Sequence, residues 1–180
     1  MKNKIVRLKV GVVIMGLAVL VFSGTSWAEK RAFEPKIPTS TQLDKVGLEC
    51  SNIKTHLKKL RSTDALKRVN LGQNYENISN NLMEKLNLAA VSNKMNAAEL
   101  VAISAEFSEN FNFFKENYQI YERELMKTID TDCSKNYSDF YKELERLRYL
   151  REELNFNTKK LGEISKKYLE VVDKFKSGVK

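Results

Sequence analysis

Leu100 to Ile129 reads LVAISAEFSENFNFFKENYQIYERELMKTI, and its apolar spacing decides the fold. Leu100, Phe107, Phe111, Phe114, Tyr118, Tyr121, Leu125 and Ile129 recur at helical intervals. At about 100° per residue they fall within roughly ±45° of one line, a narrow aromatic stripe on an α-helix. A stripe of this kind needs a second helix to cover it. Just upstream, Ser92-Asn93-Lys94-Met95 breaks the pattern and Asn96-Ala97-Ala98-Glu99 restarts it. Asn96 is placed to cap the new helix, and Glu99 to reach back in a variant capping box.

The covering stripe lies upstream. A first helix is expected from about Leu43 to Val91, with Ile53, Leu57, Leu60, Leu71, Tyr75, Ile78, Leu82 and Leu86 on one side. Asp64 and Arg68 fill the middle of that stripe and are spaced to pair with each other. Gly72 is its weakest helical point and marks a candidate bend. Folded antiparallel about residue 94, facing residues have a constant index sum of 189. Phe107 then faces Leu82, Phe111 faces Ile78, Phe114 faces Tyr75 and Tyr118 faces Leu71. Below them Tyr121 faces Arg68, Leu125 faces Asp64 and Ile129 faces Leu60.

Downstream, Asp130-Thr131-Asp132-Cys133 ends the second helix and a third begins near Tyr137. Phe140, Leu144, Leu147, Leu154, Leu161, Ile164, Tyr168, Val172 and Phe175 follow a period nearer 3.5 than 3.6, which favours coiled-coil packing. The expected fold is therefore all-α: a long antiparallel helical hairpin plus a third helix, a three-helix bundle over residues 43–180. Charge agrees, because the middle helix has three bases and eight acids and both neighbours are net basic.

Cys50 and Cys133 are the two cysteines of the chain. Their index sum falls six short of the hairpin register, an axial gap of about 9 Å on ideal helices. A disulfide needs Cα atoms within about 7 Å, so it forms only if the second helix stops near Ile129 and the next residues extend. Met1 to Ala28 has the form of a secretory signal, with a basic start, an apolar run from Val10 to Phe22 and a small-residue exit. Cleavage is expected between Ala28 and Glu29. The run is shorter than the roughly 20 residues of a spanning helix, so an uncleaved signal-anchor is the weaker reading. An exported location (periplasmic, cell-surface or secreted) is oxidising, and there paired cysteines read as a disulfide. Residues 29–42, with Pro35 and Pro38, read as a flexible linker.

The chain carries +8, but four bases and no acids lie in the first 28 residues, leaving +4 for the mature chain. Nucleic acid is therefore not an expected partner. His56 is the sole histidine and has no partners at metal-ligand spacing. No phosphate loop, nucleophile elbow or zinc-protease motif occurs, so no enzyme, cofactor or small-molecule substrate is expected.

Two surfaces stand out. Phe113 and Ile120 lie off the second stripe, and Tyr149 and Phe156 lie opposite the third. Each pair is one heptad apart, and Phe113–Phe156 and Ile120–Tyr149 share the index sum 269. They either meet and thicken the core or form an exposed patch for a partner or for self-association. Lys160, Lys167 and Lys174 line one face of the third helix and suit an acidic protein or an anionic envelope component, unless they are ordinary solvated surface.

Cys50 opening the first helix, the Asn96-Ala97-Ala98-Glu99-Leu100 restart and Cys133-Ser134 followed by Phe140 give the chain a resemblance. It resembles small exported helical proteins of unassigned function from reduced-genome, candidate-phylum bacteria. The resemblance implies a helical hairpin bridged at its base. In size, export and long coils the chain is also similar to Skp-type periplasmic chaperones, though it has no strand-like segment for their trimerisation body. The expected function is a non-enzymatic interaction or structural module of the envelope or extracellular space. A holdase-type extracytoplasmic chaperone is the alternative, and a signal-anchored surface protein the third reading.

Overall fold

The first arm of the hairpin is a rod with two irregularities, each of which redirects a face. The computed structural model describes residues 33–178, and the expected signal peptide with its Ala28–Glu29 cleavage point lies outside them. Thr39 caps α1 (Ser40–Leu48) through a full capping box with Gln42, so helix begins within the stretch read as linker. Glu49 leaves helical geometry at φ −94°, ψ 9° and separates α1 from α2 (Cys50–Glu76). α2 runs into a π-helical segment, Asn77–Met83, and then α3 (Glu84–Ser92).

The π segment corrects the expected stripe. One wide turn carries the pattern forward by about one position, so Met83 is buried while Leu82 is 38% exposed. The Met83 carbonyl also accepts from the Tyr168 hydroxyl at 3.0 Å. Asn87 Oδ1, at 2.8 Å, shares that same phenolic proton. Gly72 itself sits in regular helix, and a Cβ there would meet nothing within 4 Å. Gly72→Ala should therefore stabilise the protein by about 0.5–1 kcal/mol, seen as a rise in thermal midpoint.

The turn after α3 is a Schellman closure: Met95 N–H bonds Ala90 O and Lys94 N–H bonds Val91 O, both at 2.9 Å. Lys94 takes the left-handed position at φ 56°, where glycine is preferred. Lys94→Gly should thus stabilise by about 1 kcal/mol, measured by denaturant midpoint. α4 (Ala98–Asp130) starts two residues after Asn96, whose side chain accepts from Ala98 N–H at 3.3 Å. The expected reach-back from Glu99 does not form, since the N-cap position falls on Ala97.

α4 is the central helix, and α5 (Tyr137–Gly178) packs along it more extensively than any other pair of elements. Leu147, Leu154, Leu161 and Tyr168 are buried at heptad spacing, with Leu150, Asn157, Ile164 and Val171 buried three positions after each. That is an a/d seam. Asn157 occupies one seam position and accepts from Asn117 Nδ2 at 2.8 Å, a polar pair that penalises other registers. The pairs Lys127–Glu143 and Arg146–Glu124 place α4 and α5 antiparallel within one residue of the 269 index sum.

In the hairpin, Tyr75 makes edge contacts with Phe107, Phe111 and Phe114 at 5.4–6.2 Å, and Tyr75–Phe114 keeps the 189 register. Lower down the register moves. Tyr121 meets Asp64 instead of Arg68, and Arg68 lies 4.8 Å over the Tyr118 ring instead of pairing with Asp64.

Asp132 and Asp139 shape the turn into α5. The Ser134 hydroxyl and then Lys135 hold the exposed Asp132 carboxyl below its usual range, and Lys142 and Asn136 do the same for Asp139. Depressed folded values mean the order they lend is complete above pH 4 and fades as pH falls through those values. Amide exchange at residues 134–139 should accelerate beyond its intrinsic pH trend only below that point.

Candidate functional site

Cys50 and Cys133 form the expected disulfide, with Cα atoms 5.8 Å apart. α4 ends at Asp130 and Thr131 is extended at φ −60°, ψ 131°, which closes the axial gap as the spacing required. Lys54 Nζ donates to Thr131 O at 3.0 Å and steadies this turn. The bridge pins the start of α2 to the end of α4 and thereby fixes one wall of a surface cleft.

That cleft, about 780 Å³, lies between the first arm and α5. Val46, Ile53, Leu57 and Leu60 line it from α1 and α2, Tyr141, Leu144 and Leu147 from α5, and Tyr121 of α4 reaches its base. The break at Glu49 matters here: α1 turns onto the beginning of α5, and a Cβ at Gly47 would meet the Tyr137 ring at 3.8 Å. Lys45, Glu49, Asn52 and His56 form one rim, and Arg148 and Arg151 the other. The volume is in the range of binding pockets, and the floor is apolar as such pockets are.

Beneath the cleft sits a polar triad. The Tyr121 hydroxyl donates to Asp64 Oδ2 at 2.7 Å, and Arg151 lies 3.3 Å from Asp64 Oδ1. Asp64 is only 8% exposed. Burial, reinforced by the neighbouring carboxylate, pushes the Tyr121 phenol well above its ordinary range, so it is a fixed donor at neutral pH. This arrangement orients side chains; it offers no activated nucleophile. Among the described residues no group of three or more His, Cys, Asp or Glu is placed to hold a metal.

The surfaces expected from the sequence are divided by the fold. Ile120 and Tyr149 pack against the core, and Tyr149 is also met by the Phe33 ring at 5.4 Å, with Arg146 over Phe33 at 5.9 Å. Phe113 is half-buried, while Phe156 is 49% exposed. The four residues therefore divide between core and surface. Lys160 and Lys167 converge on one carboxylate, Glu106, at 3.1 and 3.9 Å, and Lys174 stays exposed one heptad further on. A smaller apolar recess of about 370 Å³ lies at the turn end, among Leu86, Ala90, Met95, Leu100, Val172 and Phe175.

No family model, curated protein or solved structure matches this chain. The cleft was not read from sequence because its walls come from three helices. Leu57, Leu60, Leu144 and Leu147 were visible as stripe residues, but a stripe does not say which of its members remains uncovered.

Proposed function

We propose that the protein is an exported, non-enzymatic helical interaction module of the cell envelope or extracellular space. The observation that carries this reading is the preformed apolar cleft whose wall is pinned by the Cys50–Cys133 bridge. A disulfide is compatible with an oxidising compartment, and the signal-like Met1–Ala28 segment supplies a route there. Among the described residues no helix is long and apolar enough to cross a membrane.

The holdase reading draws on a different feature. Leu88, Val91, Val101 and Leu169 are 47–61% exposed, an apolar offering to unfolded chains. The two readings separate by light scattering: a holdase suppresses client aggregation at stoichiometric amounts, an interaction module does not.

Amine-reactive crosslinking in the native envelope, followed by mass mapping, tests the leading reading. It expects defined crosslinks from lysines of one face to a recurring partner. Recovery of the chain with its first 28 residues attached in the cytoplasmic fraction, or without any recurring crosslink, would sink it.

A further inference from the structure

We infer that the cleft between the first arm and α5 receives an amphipathic helix with acidic flanks from a partner protein, an inference that rests on the interaction-module reading. Three observations lead there. The wall that α5 supplies from Tyr141 to Arg151 spans ten residues of unbroken helix, about 15 Å at helical rise, enough for nearly three turns of a partner helix. Its two sides are themselves helices, and α4 forms the base, so the occupant would take the fourth place in a helix bundle.

The trough is also open along one side. An acyl chain there would stay partly in water, whereas an amphipathic helix has a polar face to present to solvent. The rim decides the sign of the flanks. Among the lining residues Lys45, Arg148 and Arg151 are cationic, against one acid, Glu49. Arg148 leans on Glu145 and Arg151 on Asp64, but their side chains stay 68% and 45% exposed and keep N–H edges for another carboxylate. Lys45 and His56 form no ion pair among the described residues.

The test uses the full oxidised chain and three probes in competition by fluorescence anisotropy. One is an 18-residue helical peptide with leucine at positions i, i+3, i+4 and i+7 and glutamate at the flanks. The second has lysine for every glutamate, and the third is palmitate. The acidic peptide should bind saturably and at least tenfold more tightly than its lysine counterpart. Lys45→Glu combined with Arg148→Glu should reverse that preference, with unchanged circular dichroism because both side chains are exposed. Equal affinity for the two peptides, or an acidic preference that survives the double reversal, overturns the inference. So does saturable palmitate binding without peptide binding. A failure here leaves the module reading intact if envelope crosslinks still arise from another face, such as that of Lys174. If neither experiment finds a partner, both readings fall.

Discussion

Reduction of the Cys50–Cys133 bridge is expected to lower the stability of the protein by about 4.5 kcal/mol. The two cysteines are 83 residues apart, and in the chain-entropy relation a closed loop of that length restricts the unfolded chain by this amount. The loss is a large share of the roughly 5–15 kcal/mol that holds a domain together. For a chain of this size it corresponds to a fall of about 10–15 °C in thermal midpoint. The measurement is a pair of urea melts, oxidised and in excess thiol, with Cys50→Ala/Cys133→Ala as a control that reductant acts through the bridge alone. Alanine suits the control because Cys133 is fully buried, and serine would bury a hydroxyl there. A difference under 1 kcal/mol would mean the bundle holds its base closed without the bond.

Tyr121→Phe carries the second large effect, a loss of about 2 kcal/mol. The substitution keeps the ring in the core and removes only the hydroxyl that donates to Asp64. The carboxylate then stays buried, with Arg151 as its remaining partner at 3.3 Å. Asp64→Leu introduced on top should recover part of the loss, because an apolar pair costs less than half of a polar one. A double-substitution loss equal to the sum of the two single losses would show that the two side chains are not coupled. The same hydroxyl has an alkaline signature. Its folded-state value is raised, so its contribution is complete below pH 10 and disappears as pH rises through the raised value. In an ultraviolet titration Tyr121 should stay un-ionised until the protein unfolds.

Much of this fold could be read from apolar spacing. The α4 stripe, the 3.5-residue period of α5 and the bridge with its extended approach at Thr131 all followed from counting positions, because buried faces leave a periodic trace. What escaped detection has no periodic trace. The π segment Asn77–Met83 shifts phase by about one residue, and its only local sign was an asparagine-rich run in which Gly72 drew attention to the wrong place. Asp64 was expected to pair with Arg68 along its own helix, yet its partners come from α4 and α5, more than fifty residues away. The cleft is legible least of all. It is an absence of covering residues, and depends on how α1 turns at Glu49 and how far α5 stands from α2.

The bridge also partitions mechanical load. Cys50 and Cys133 close a covalent ring around α2, α3 and α4, while α1 and α5 lie outside it. Tension applied at the two ends of the chain enters through α1, crosses the sulfur–sulfur bond and leaves through α5. The 83-residue ring segment is bypassed, which withholds about 290 Å of contour at roughly 3.5 Å per residue. Pulling would strip α5 from the far wall of the cleft while the α2–α4 ring kept its length. Force across the chain and the integrity of the cleft are thus opposed, and a thiol reductant would release the stored length in a single step.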